Sequence, residues 1–240
     1  MDATLDFYLT ATNFKLVKRE VVANNNDADR LFGRKGVAYE RAVLEAPNML
    51  FELTEFSHNR ETPMRVMPVY GPGMTHTCFQ SPAHLSGYDK FKQAGARMLS
   101  RGDEPVDLLG QGVTYAYAYD PEGNMLELEQ LDFNVLGGDP RKPEWVDAGL
   151  DMWMTQVALV THDIERLTTY YSEILGFNPY RAADISNRLP FDDATDIDDV
   201  SLKVVFFRMA QRTKSMEFWQ YVNPVTPQTQ GDRDITALGY

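Results

Sequence analysis

The sequence predicts an α+β fold assembled from repeated units of strand, helix and further strands, and three observations carry that prediction. Between residues 73 and 130, Gly73 to Phe79 alternates like a strand, Ser86 to Ala96 has helical spacing, and Val113 to Tyr119 alternates again before the turn Pro121-Glu122-Gly123-Asn124 leads into Met125 to Gln130. Sliding the chain by 163 positions lays Phe7-Tyr8 on Tyr170-Tyr171, Asn13 on Gly176 and Phe14 on Phe177, so one helix-to-strand passage begins twice. At 240 residues and 43% hydrophobic content, the chain can bury the cores of one large domain or two small ones.

Taken in order, Met1 to Ala11 reads as a helix with Leu5, Tyr8 and Leu9 on its apolar face, and Phe14 to Val22 as a strand. Asn24 to Asp27 is a turn-rich break, followed by a strand pair, Val37 to Glu45 and Asn48 to Phe56, joined through Ala46-Pro47. Ser57 to Pro72 is a connection with three prolines, Pro63, Pro68 and Pro72. After the unit at 73 to 130 comes a polar, Pro- and Gly-containing linker, and Trp153 to Val160 then restarts the pattern as a strand. Asp163 suits the N-cap of a helix that Glu165 favours in its first turn and Gly176 ends. The Asp-rich stretch Asp184 to Asp199 reads as a solvated loop, and Leu202 to Met209 with Met216 to Val222 as another strand pair.

The repeat sets the expected boundaries: residues 1–130, a linker at 131–152, and a second start over 153–240. Met1 falls on Ile164, so the N-terminal unit has no counterpart of the strand at Trp153, and Gly239-Tyr240 matches Gly73-Met74 just before a counterpart of His76. Both ends therefore read as clipped.

A net charge of −12 and a pI near 4.7 argue against a nucleic-acid partner, which needs clustered Lys and Arg. One cysteine, Cys78, excludes an internal disulfide framework, and no apolar run of about 18 residues suggests a membrane span. These features lead to the expectation of a soluble, cytoplasmic chain with neither nucleic acid nor membrane as a partner; the small-molecule substrate expected for it comes from the resemblance described next.

Residues two apart on a strand share a face, so His76 lies with Met74 and Cys78, and Glu127 with Met125 and Glu129. In these positions, and most specifically over Asp120 to Gln130, the chain resembles the vicinal oxygen chelate superfamily of glyoxalase I, methylmalonyl-CoA epimerase, extradiol dioxygenases and bleomycin-resistance proteins. The resemblance implies βαβββ modules paired into curved half-barrels around a divalent metal ion: zinc, nickel, manganese or iron. It assigns His76, Glu127 and Glu52 as metal ligands from a pairing of the first two modules. Gln156 and Glu217 resemble half of a further site in a third, unpaired module, and that module's free edges would recruit a second copy as a homodimer.

Three functions follow from the resemblance. The first is a glyoxalase-like isomerase or lyase acting on a small carbonyl or hydroxy-carbonyl compound through a metal-stabilised enediolate, with Glu127 or Glu52 as the base. The second is an extradiol dioxygenase using iron(II), which calls for two His and one carboxylate. The third is a metal-free binding or resistance protein whose aromatic lining holds a small molecule. Tyr115, Tyr117 and Tyr119 share one strand face and read as packing residues, as does Cys78.

Overall fold

A computed structural model describes residues 1–58, 66–137, 144–210, 214–228, 234, 236, 237 and 239. Parts of the expected connection at 57–72 and linker at 131–152, and Tyr240, lie outside the described residues.

The first module is α1 (Asp2–Ala11), β1 (Lys15–Val22), α2 (Asn26–Leu31), β2 (Tyr39–Ala46) and β3 (Met49–Phe56). The short α2 stands where only a break was expected, because the Asn25 side chain accepts from the Asp27 and Ala28 amides and caps it. The second module runs β4 (Gly73–Pro82), α3 (Gly87–Gln93), β5 (Arg97–Met98), β6 (Val106–Asp107), β7 (Val113–Tyr119) and β8 (Met125–Leu131). The short helices α4 (Phe133–Leu136) and α5 (Glu144–Asp147) lie in the linker. The third module is β9 (Trp153–Val160), α6 (Ile164–Leu175), β10 (Arg181–Ile185), α7 (Leu189–Thr195), β11 (Ser201–Ala210) and β12 (Lys214–Asn223).

The stretch read as an Asp-rich loop therefore holds a strand end and a helix. Its carboxylates are spent on local structure: Asp192 accepts from the Asp199 and Val200 amides, and Arg101 gathers Asp193, Asp196 and Asp198. Among the described residues no helix is long and apolar enough to cross a membrane.

The strands form two sheets. One is β1-β2-β3; the other has nine strands in the order β10-β11-β12-β9-β4-β8-β7-β5, with β6 added on β7. This corrects the expected pairing. The second module joins the third, through an antiparallel contact of β4 with β9 in which His76 lies opposite Ala158. The first module keeps a sheet of its own, and the third is not unpaired, so free edges of β9 and β12 cannot be what would draw in a second copy.

The hydrophobic pattern explains the choice. Alternate residues of β3 are half-buried, and Phe51 and Leu53 pack with Leu5, Tyr8, Leu44 and Ala46 onto Phe79, Leu126, Leu128 and Met154 of the large sheet. The small sheet and α1 thus cover one face of the large sheet beside α3, rather than extending its edge. Asn48 fastens the arrangement: its amide donates to the Met154 carbonyl at 2.5 Å and its Oδ1 accepts from the Met154 amide at 3.3 Å. The opposite face of the large sheet carries a second core of Tyr115, Tyr117, Tyr119, Trp219 and Tyr221, and it is this face that holds the polar residues described next.

Candidate metal centre

Four neighbouring strands, β12, β9, β4 and β8, place one or two polar side chains each on the aromatic face. In register, Glu217 lies beside Ala158, Ala158 opposite His76, and His76 beside Met125, with Gln156 and Glu127 each two residues along from this row. Side chains in such a row point the same way. The small Ala158, fully buried, leaves the space between Glu217 and His76 open to the larger side chains around it.

His76 is 1% exposed. Its Nδ1 is 3.2 Å from Thr75 Oγ1, while Nε2 is buried with no hydrogen-bond partner and stands 3.8 Å from Glu127 Oε2. Burial holds the imidazole neutral, with its pKa lowered to about 3. Tyr117 and Trp219 meet its ring edge-on, with centroids 5.2 and 6.0 Å away. The unpartnered nitrogen is thus fixed in direction, and its lone pair is free for a ligand once the tautomer places the proton on Nδ1.

Glu127 is fixed by three donors: Gln156 Nε2 at 2.6 Å, Tyr117 OH at 3.3 Å, and the thiol of Cys78. Burial, and then the charge of Glu129, raise its pKa to about 7. Glu217 accepts from Trp219 Nε1 at 3.0 Å, and burial followed by the charge of Glu127 pushes its pKa well up. The buried carboxylates of Glu127 and Glu217 stand beside a neutral imidazole, and the charge of Arg181 offsets only a minor part of the burial cost of Glu217, so such groups keep protons unless a further positive charge arrives. A divalent cation meets that need, and imidazole, carboxylate and amide oxygen donors suit a borderline metal. The donor set therefore fits a divalent ion held by His76, Glu127, Gln156 and Glu217. Among the described residues no three His, Cys, Asp or Glu side chains are drawn together to hold one; Trp219 donates to Glu217, and Gln156 turns its amide N–H to Glu127.

The structure brings His76 and Glu127 together, as expected, but not Glu52. That residue lies on β3 of the separate small sheet, on the face turned away from Phe51 and Leu53, with an exposed carboxylate paired to Arg41 at 3.4 Å. Its place in the set falls to Glu217 and Gln156. Both residues are candidates in the sequence, where the resemblance places them in a separate site of the third module. Tyr117 and Trp219 were missed as carboxylate donors, although Trp219 shares Glu217's strand face and Tyr117 sits opposite Glu127 in a pattern of alternating tyrosines. Cys78 packs as expected, 0% exposed.

Comparison with known proteins bears on the family and the fold. Residues 1–128 match the model of the Glyoxalase/Bleomycin resistance protein/Dioxygenase superfamily. The chain belongs to that superfamily. Glyoxalase I from Zea mays has a similar fold, with a TM-score of 0.58 at 21% identity over 94% of this chain and 64% of the maize chain. A curated ethylmalonyl-CoA/methylmalonyl-CoA epimerase from Cereibacter sphaeroides is 34% identical over 59 residues, 25% of this chain and 44% of the epimerase. The chain thus spans less than two thirds of the length of either relative.

Proposed function

We propose that this chain is a metal-dependent isomerase or lyase acting on a small carbonyl or hydroxy-carbonyl substrate, with its centre at His76, Glu127, Gln156 and Glu217. The observation that carries the proposal is the buried, unpartnered Nε2 of His76, 3.8 Å from the buried carboxylate of Glu127 and in register, across Ala158, with the buried Glu217. A bound divalent cation would supply Lewis-acid polarisation of a substrate oxygen. The protein's own part is proton transfer and orientation. Glu127, tied to three donors, keeps its place as a ligand. Glu217 has one side-chain donor, Trp219, against the three of Glu127, and in its ionised form is therefore the freer of the two to take a proton from the carbon next to the carbonyl. Tyr115, Tyr117 and Tyr221 line the same face and would exclude water from the reacting carbon.

Iron-dependent ring cleavage has less support, because the quartet contains one imidazole where that chemistry calls for two. The test is metal content by inductively coupled plasma mass spectrometry in wild type and in His76→Ala, Glu217→Gln and Glu52→Gln. The expected result is about one equivalent of divalent metal in wild type and Glu52→Gln, and a loss of affinity on the order of a hundredfold in the other two. Metal retained without His76, or lost with Glu52, would overturn the assignment. With metal established, exchange of the α-proton of a hydroxy-carbonyl substrate into deuterated water should stop in Glu217→Gln.

A further inference from the structure

We propose that Arg181 and Arg208 form an anion-binding subsite at the rim of the aromatic face, where they receive a carboxylate or phosphate at the end of the substrate remote from the reacting carbon. This rests on the reading of the centre given above and adds a substrate class to it: an anionic carbonyl or hydroxy-carbonyl compound. Strand register sets the line. Arg181 lies opposite Phe206, Phe206 opposite Glu217, Glu217 beside Ala158, and Ala158 opposite His76, so Arg181 ends, at the sheet edge, the row that runs through the centre. Arg181 shares a strand face with Ala183 and Ile185, and Arg208 with Val204 and Phe206, all four of which pack into the aromatic core. Both arginines therefore stand on the side of the sheet that carries His76, Glu127 and Glu217. Two strand spacings of about 4.8 Å separate Arg181 from Glu217 at the backbone, and the arginine's positive charge acts on that carboxyl.

Two aromatic rings hold the pair. The guanidinium carbon of Arg181 stands 5.0 Å from the ring centroid of Phe206, that of Arg208 stands 4.5 Å from the centroid of Tyr180, and the two rings adjoin with centroids 6.2 Å apart. Stacking occupies the flat face of a guanidinium and leaves its N–H edge to meet a carboxylate or phosphate with paired hydrogen bonds. Elsewhere in the chain that edge is already taken. Arg19 and Arg41 of the small sheet pair with Glu40 and Glu20, and Arg101 pairs with Asp196 and Asp198. Among the described residues neither Arg181 nor Arg208 has an ion-pair partner, although both are exposed on a chain of net charge −12. Like charges on neighbouring strands cost stability, and an arriving anion removes that cost. The overall negative charge repels anions, so binding depends on this local pair.

Isothermal titration calorimetry of the full chain, metal-free and zinc-loaded, tests this with matched probes: dihydroxyacetone phosphate against dihydroxyacetone, and levulinate against methyl levulinate. Wild type should bind at least one of the anions on the order of tenfold more tightly than its neutral counterpart, with and without zinc. The larger of the two preferences names the group, phosphate or carboxylate. The preference should be lost in Arg181→Gln and in Arg208→Gln. It should persist in Arg97→Gln, because Arg97, also exposed and stacked on Tyr119 at 4.3 Å, lies at the opposite end of the same row. Equal affinities for anion and neutral probe in wild type, a preference that survives either substitution in the pair, or one that Arg97→Gln removes as fully, would overturn the proposal. A failure of the metal assignment reads differently: zinc would then change nothing, while the anion preference would stand.

Discussion

Glu217 carries its carboxyl where a charge is costly, and its pH behaviour should show it. A carboxyl whose folded pKa lies above its unfolded value keeps its proton in the fold after the unfolded chain has lost it. Stability therefore falls as pH rises from the ordinary value near 4.5 through the raised one. His76 acts in the other direction, costing stability as pH falls from 6.5 toward about 3. In metal-free buffer at about pH 8 only the carboxylate cost remains, so Glu217→Gln should melt above wild type there, with the gap narrowing toward about pH 5. Saturating zinc should reverse the order, because only wild type gains from tight binding. Calorimetry at both pH values checks this. At this scale the sequence was partly legible: His76 and Glu127 stood out by strand position, and Gln156 and Glu217 were visible as candidates. What could not be read was which residues meet. Strand spacing fixes a side chain's face but not the neighbouring strand, and the pairing of β4 with β9 is a long-range choice made by packing.

At the scale of the element, β9 is the strand on which the centre depends, since it lies between β12 and β4 and contributes Gln156 itself. Ala158, in register between Glu217 and His76, is the point where added volume would matter most. Ala158→Leu should cost about 1–3 kcal/mol of stability through overpacking and should weaken metal binding more than an equally destabilising change on the helix-covered face. Denaturant melts alongside metal titration separate the two effects. Most strands and the helices α1, α3 and α6 were legible because their hydrophobic periods are clear. The helix α7 was not, since aspartates crowd the stretch around it while the work of its own Asp192 and Asp193 lies in contacts to the Asp199 and Val200 amides and to Arg101, which local sequence does not display.

At the scale of the molecule, the division expected at 131–152 does not divide the packing. One core cluster draws Leu5 and Phe14 from the first module, Phe79 and Leu126 from the second, and Met152 and Met154 from the start of the third. The described chain should therefore unfold in one cooperative transition, with calorimetric and van't Hoff enthalpies in agreement; two separated transitions would contradict this. The boundary was misplaced because composition marks where a chain is polar, and a polar connection can still join two parts of one sheet.

Cys78, the chain's single cysteine, sits on β4 with no solvent exposure, and its burial, reinforced by the charge of Glu127, pushes the thiol pKa well up. A thiol so placed is nearly inert while the sheet is intact. It becomes a clock for the seam between β4 and β9. The rate at which a disulfide reagent labels it measures how often that seam parts. An ion bridging His76 and Glu127 on one side to Gln156 and Glu217 on the other should slow the clock without touching the sulfur.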